Sequence, residues 1–531
     1  MSIMNTFRRV DRWIPSRWVP LFLAFFLFFC ACPATPLEQE AVAATLTVNT
    51  LADNTVNGDG LCTLREAILA AVTDDDFNDC SGTDYGNDTI IFSVTGVIQL
   101  GGELPPVTGA WPRSAAGSSL TISGPGSDQL TISGDTDGDG LGNVRVLTVN
   151  AVANFKLENV TLANGFSTVN GGGVLADGTG NFYATDCAFS NHRAVQGGAL
   201  YLDALNIFIT GCLFSDNNAL TGGAIAAVNT LINNFNLTQS TFLNNQASEN
   251  GGGLYLRDSA FWSTDSFFTN NGALLGGGIY QEGGTLSSSK DIFSNNHATD
   301  GGGIYALGGN LGIRESTFYQ NVALSRAGGI YTGINCIITG STFEGNQAES
   351  GGALQANSNV SIQNTTLYNN QAGQQGGGVL SLGNMHLQNT TFFANGASNG
   401  GGFKNGDPAK VTSIHNTIIA GSPSGGNCSG LTPASNMGNN IDSGTTCDWG
   451  SDNGSLSDTD PALMPLADNG GPTKTMALKP GSPAINGVVY NAQNSCPPKD
   501  QRGVDRPQDL VCDIGAFEFF WRYAYLPLIQ N

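Results

Sequence analysis

Three sets of residues in this sequence have the types and spacing to do chemistry. Asp135-Thr-Asp137-Gly-Asp139-Gly140 places carboxylates at alternate positions before a glycine, the spacing that wraps oxygen ligands around Ca2+. A full loop of this kind closes on a Glu where this chain has Val146, so it supplies part of a calcium site or simply a Gly/Asp turn. Asp265, Lys290 and Glu315 recur at a step of 25 residues and would stack acid, base and acid on one line. That is the pattern of a salt ladder. A catalytic cluster needs like carboxylates held together so that one is perturbed or binds metal. Tyr201, Tyr255, Tyr280, Tyr305 and Tyr331 form a third line. Exposed phenol rings combine apolar area with a hydroxyl and suit sugar or polymer binding, but the same rings could stack to hold neighbouring turns together.

The elements that position these residues come from a repeat. Gly-Gly, then Gly or Ala, then an apolar residue recurs with the apolar position at Val174, Leu200, Ile225, Leu254, Ile279, Ile304, Ile330, Leu354, Val379 and Phe403. Regular periods of this length mean a solenoid. A second phrase, Phe-x-x-Asn, falls between the copies, as in Phe268/Asn271 and Phe318/Asn321. Phe189 is followed by His192 where Asn is expected, so His192 reads as a substitute in the Asn column. Another apolar residue, such as Ile207, Phe261 or Leu311, lies seven before the Phe. Each period thus holds three short apolar strands and no helical stretch. The expected fold is an all-β, single-stranded right-handed parallel β-helix with a short N-terminal capping helix, Phe and Ile stacked inside. The Gly pair takes φ > 0 at a tight corner. The repeated Asn tolerates αL and stacks its amide into a ladder. Alternation then points each Tyr, one residue past the inward Ile, to the outside.

The ends carry their own signals. In Leu61-Cys-Thr-Leu-Arg-Glu-Ala-Ile68, Thr63 and Glu66 form a capping box, and Leu64, Ile68 and Val72 line one face of a short helix suited to plugging the end of the solenoid. This phrase resembles the CSLREX N-terminal domain of secreted bacterial repeat proteins, with Thr63 where Ser is usual. The glycine and Phe-x-x-Asn phrases together are similar to the polymorphic outer-membrane protein repeat. That resemblance implies a bacterial surface protein of the pectin-lyase-like β-helix type. Self-translocation is not implied, since the chain shows no set of barrel strands. Leu466-Ala-Asp-Asn-Gly-Gly-Pro-Thr473, Asp500-Gln-Arg-Gly503 and Asp513-Ile-Gly-Ala-Phe-Glu518 are similar to the choice-of-anchor Q domain. In that stretch Arg502, Asp505, Arg506, Asp513 and Glu518 read as a structural network. The domain expectation is therefore a signal peptide (1–43), a cap with irregular first coils (44–144), the repeat β-helix (145–425), the anchor-like domain (426–520) and a tail (521–531).

Composition narrows the partners. A formal charge of −22 argues against nucleic acid, since binding phosphates needs a basic stripe and the sequence shows none. Arg8, Arg9, Arg12 and Arg17 precede an apolar run from Trp18 to Phe29, and Ala41-Val42-Ala43 offers a cleavage site, so the chain reads as exported and, once the signal is removed, peripheral to any membrane. Cys30 and Cys32 sit in a poor context for lipidation. In an oxidising compartment four local pairs suggest disulfides: Cys62–Cys80, Cys187–Cys212, Cys428–Cys447 and Cys496–Cys512, with Cys336 left over. Cys187 and Cys212 share a column in adjacent turns, ~4.8 Å apart, within the Cα separation a disulfide tolerates. No CxxC pair occurs, and His192, His297, His386 and His415 follow no metal spacing, so no cofactor is implied beyond Ca2+ at the Asp135 loop. The leading functional reading is a non-catalytic adhesive, structural or glycan-binding element that meets polysaccharide or a host or neighbouring cell surface. The competing one is a polysaccharide lyase or hydrolase, which on this type of scaffold uses converging carboxylates, often around calcium, with an Arg or Lys base.

Overall fold

The computed structural model describes residues 44–73, 75–81, 87–108, 119–150, 154–229, 234–491 and 496–520. The signal segment and the tail lie outside these. The repeat winds into a parallel β-solenoid. One turn contains strands Ile304–Ala306, Asn310–Arg314, Thr317–Tyr319 and Val322–Arg326. The first two lie in a 24-stranded sheet, the third in a 14-stranded sheet, and the fourth in a short 4-stranded sheet, giving the coil three faces. In turns such as Leu254–Thr264 and Ile279–Ser289 the first two strands run on as one, matching the expected three strands per coil. Elsewhere the first strand is interrupted, as at Gly308-Gly309, where Gly309 has φ 85.

The interior is a set of columns. Phe189, Phe214, Phe242, Phe268, Phe293, Phe318 and Phe343 stack face to face at 4.7–4.9 Å between ring centroids and are buried. Turn spacing and ring stacking agree because both follow the strand separation of a parallel sheet. Beside them runs the asparagine ladder. In Asn296, the backbone N–H and Nδ2 both donate to Oδ1 of Asn321 (3.1 and 2.9 Å), and Nδ2 also donates to the Phe268 carbonyl (2.8 Å). The pattern repeats from Asn217 to Asn370, so buried amides satisfy one another along the axis. The left-handed backbone belongs not to these asparagines but to the residue before each of them, such as Asn270 (φ 55) and Asn295 (φ 54). The ladder residue itself must present its N–H to the next turn.

His192 does occupy the ladder. Its backbone N–H donates to Asn217 Oδ1 (3.0 Å), its Nδ1 accepts from the Gly165 N–H (2.8 Å), and Nε2 then donates to the Leu162 carbonyl (3.0 Å). Burial, partly offset by that carbonyl, lowers its pKa to about 4 and keeps the ring neutral. The two corner glycines serve different needs. The first takes positive φ, as at Gly301 (φ 66), whereas a Cβ on the second would meet backbone of the next turn, as at Gly277, 2.5 Å from the Gly302 carbonyl oxygen.

Three of the four expected disulfides are present: Cys62–Cys80, Cys428–Cys447 and Cys496–Cys512. Cys187 and Cys212 are instead free, buried thiols. Side chains stacked in register lie parallel and do not face one another, so column neighbours keep their Sγ atoms on their own corners. Cys187 Sγ donates to the Thr185 carbonyl (3.3 Å) and Cys212 Sγ to that of Thr210 (3.5 Å). Ser240 and Ser266, farther along the column, make the same bond with a hydroxyl (3.0 and 3.1 Å). Cys336 is also free and sits inside, between Leu311 and Val360.

Both ends follow from their motifs. Helix Leu64–Thr73 begins with the expected capping box: the Glu66 N–H donates to Thr63 Oγ1 (3.2 Å) and the Thr63 N–H to the Glu66 carboxylate (3.1 Å). Leu64 and Ile68 are fully buried, and Arg65 ties the helix down through Asp53 (2.7 Å) and the carbonyls of Gly102 and Glu103. At the other end, the chain from about Asp460 folds back along the outside of the 14-stranded sheet. Gln501 bolts it there: Oε1 accepts from Thr366 Oγ1 (2.7 Å), while Nε2 donates to Thr342 Oγ1 (2.9 Å) and the Ser341 carbonyl (3.1 Å). Asp500 pairs with Arg502 (2.6 Å) and Arg506 with Glu518 (3.3 Å), all four carboxylate and guanidinium groups being buried. Asp505 lies outside this network and pairs at the surface with Lys499 (2.8 Å).

Candidate functional site

The tyrosine line is real but it is not a surface. Tyr255, Tyr280, Tyr305 and Tyr331 stack at 5.5, 5.5 and 4.5 Å with nearly parallel rings, yet only 5–6 % of each residue is exposed. Tyr201 alone is half-buried, separated from the stack by Ala226. The cover comes from the third face of the coil. The residue just before the glycine corner folds over the rings: Leu275 packs against them, and the Arg326 guanidinium lies 4.5 Å from the Tyr331 ring centroid while pairing with Asp300 (2.6 Å). The phenol oxygens are engaged too. Tyr255 donates to Glu282 (2.8 Å), and Tyr331 accepts from Asn357 (2.9 Å) and Arg326 (3.1 Å). Burial pushes the Tyr255, Tyr280 and Tyr305 phenols up, helped at the first two by the Glu282 carboxylate. The column is a small satellite core, and the expected ligand surface is not there.

The other two sets fare differently. Asp135, Asp137 and Asp139 bring one oxygen each to within 4.8 Å of one another, the one such trio among the described residues. Asp135 is largely covered, and its two oxygens accept the N–H groups of Gly138 (2.8 Å) and Gly140 (2.9 Å). Burial raises its pKa, but those amide dipoles outweigh it and the net shift is down. Val146, at the closing position, is buried in the core and offers no ligand. Asp265, Lys290 and Glu315 do occupy equivalent positions with φ of 50–57, but Glu315 pairs with Arg314 (3.2 Å), so the salt ladder does not form through Lys290. These residues line one wall of a 730 Å3 cleft whose other wall is Lys499, Asp500 and Arg502 of the C-terminal segment. The cleft mixes both signs of charge.

The open surface lies on the outer face of the 24-stranded sheet, one strand further on. Lys156, Tyr183, Phe208, Asn236 and Trp262 are paired in that order across adjacent turns, followed by Ser287, Gly312, Ile337, Ser361 and His386. Tyr183 and Phe208 stack at 4.9 Å, with Lys156 Nζ 5.6 Å from the Tyr183 centroid. Trp262 is 38 % exposed and Ile337 60 %. A second, outward amide ladder flanks this column, half-buried where Asn181 donates to Asn154 (2.7 Å) and Asn206 to Asn181 (2.6 Å) and exposed where Asn384 donates to Asn359 (2.9 Å). Where the column residues are small, the two lines bound a 430 Å3 groove lined by Asn310, Asn335, Asn359, Asn384, Ile337 and His386. The glycine and Phe-x-x-Asn phrases do not single out these aromatics, although the sequence carries a signal for them: each follows by one residue the inward apolar position seven before the repeat Phe.

Residues 145–318 match the family model described as the right handed beta helix region. No curated protein and no solved structure matches the chain. The architecture and this match together define the protein as a right-handed β-helix, a fold consistent with pectin-lyase-like proteins.

Proposed function

We propose that this is an exported, non-catalytic β-helix that binds neutral glycan chains along the outer face bearing Tyr183, Phe208 and Trp262. The observation that carries the reading is the aromatic column, half-buried at Tyr183 and Phe208 and exposed at Trp262, running into a groove whose apolar floor is edged by amides and hydroxyls. Flat rings stack on the apolar faces of sugars, and Asn, Ser and Thr groups exchange hydrogen bonds with sugar hydroxyls. A polymer lying along the axis would meet one column residue every ~4.8 Å. The overall charge of −22 disfavours polyanions such as uronates, which makes neutral polysaccharide the better match. Export is supported by the N-terminal pattern, by three disulfides and by the resemblance of both ends to modules of secreted repeat proteins.

Affinity electrophoresis against a panel of neutral and acidic polysaccharides tests this. The expected outcome is retardation by a neutral polymer, weakened about tenfold or more (about 1.4 kcal/mol) by Phe208→Ala with Trp262→Ala. Retardation untouched by that pair would remove the platform, and release of new reducing ends would turn the protein into an enzyme.

A further inference from the structure

We propose that His386 and His415 form a two-imidazole site for one tetrahedral divalent ion of the Zn2+ type, at the C-terminal end of the groove. The two residues sit on adjacent turns, in strands Met385–Gln388 and Thr412–His415, with both side chains on the outer face. Their Nε2 atoms are 3.3 Å apart. Two nitrogens bound at ~2.05 Å to a tetrahedral ion lie about 3.3 Å apart, so the separation already fits the ion.

The rest of the surroundings agree. His386 Nδ1 is 2.8 Å from Ser413 Oγ. With Nδ1 donating to that hydroxyl, the Nε2 lone pair of His386 is directed at its partner, the orienting contact that metal-bound histidines use. His415 Nε2 then holds the one proton between the rings. On binding, that proton moves to Nδ1 of His415 and the ion takes its place, so no proton is gained or lost. Among the described residues no third His, Cys, Asp or Glu converges on the pair, which leaves the remaining coordination positions to water or to a hydroxyl in the groove. The ion would clip the turn at 385–388 to the one at 412–415, the last coils before the chain folds back. The site stands independently of the glycan reading.

The columns themselves supply conservative variants. Ser361 and Ser413 flank His386, and Gln388 and Gln363 precede His415 along its line, so His386→Ser and His415→Gln restore what neighbouring turns already carry. The full chain without an oligohistidine tag, stripped with EDTA, is titrated with Zn2+ by calorimetry and with Co2+ by visible absorption. One Zn2+ per chain and tetrahedral Co2+ bands are expected, with each variant binding at least tenfold more weakly and retaining the wild-type circular dichroism and melting curve. Equal Zn2+ binding by wild type and both variants, or no saturable binding by wild type, would overturn the site.

Discussion

Two aromatic columns on the same sheet face the same way and have opposite fates. Tyr255, Tyr280, Tyr305 and Tyr331 follow an inward Leu or Ile; Tyr183, Phe208 and Trp262 follow an inward Phe or Ile. Alternation puts both lines outside. The tyrosines nevertheless expose 5–6 % of their surface and Trp262 exposes 38 %. The difference is distance from the glycine corner. The tyrosine strand starts directly after that corner, so the residues that enter it, Leu275 and Arg326, close over the rings, with Asp300 paired to the Arg326 guanidinium. Trp262 lies eight residues beyond Leu254, farther along the same strand and away from that corner. Strand periodicity fixes which side a residue takes, and the next corner decides whether that side meets solvent.

The largest effect should come from the covered column. Tyr305→Ala removes a ring stacked on both sides, so a loss of about 3 kcal/mol is expected, close to that of a core aromatic. A solenoid is stabilised turn by turn, which makes the loss local and best read by hydrogen exchange across residues 279–332. Protection unchanged in that stretch would mean the cover contributes nothing, and the two columns would be alike after all.

Much of the fold was legible because it is periodic. The Gly-Gly phrase, Phe-x-x-Asn and the Thr63/Glu66 box each have a local cause: a backbone angle, a stacking ring, a cap. His192 could be placed in the asparagine ladder for the same reason, since a column assigns a role to whatever residue stands in it. What failed were statements about relations between columns or within one. Whether Tyr280 is covered depends on a segment from another face of the coil. Whether Cys187 bonds to Cys212 depends on side-chain direction within a column, which spacing alone does not give. The Gln501 bolt joins residues more than a hundred positions apart and left no trace in any period.

The contrast between covered and open positions extends to charge. Asp291 stands in the inward hydroxyl column between Ser266 and Ser316, where it accepts from the Ser266 N–H (2.8 Å) and Ser288 Oγ (2.6 Å). Burial raises its pKa to about 6, against which those two bonds act, while Asp265 adds to the rise. Between its ordinary value of 3.8 and about 6 the native state holds the extra proton, so stability is greatest at or below about pH 4 and falls as pH rises through about 6. Asp291→Ser, the residue its column neighbours carry, should therefore stabilise the protein at pH 7 by about 1–2 kcal/mol and flatten the slope between pH 4 and 6. Urea midpoints at pH 4 and pH 7 measure it. A variant less stable at pH 7, with the slope intact, would show that the carboxylate is well accommodated in its charged form.

The smallest effect belongs to the open column and completes the comparison. Trp262 is paired with Asn236 on one adjacent strand and with Ser287 on the other, neither an aromatic partner. Truncating it opens no cavity in the interior, because the ring lies on the outer face with 38 % of the residue in water, so Trp262→Ala should cost about 1 kcal/mol, well below Tyr305→Ala. The same hydrogen-exchange experiment used for Tyr305→Ala should find protection in residues 234–289 near wild type. A loss as large as that at Tyr305 would mean that Trp262 braces the coil. The exposed column would then be a structural ridge like the buried one, and its aromatic residues would no longer need a ligand to account for them.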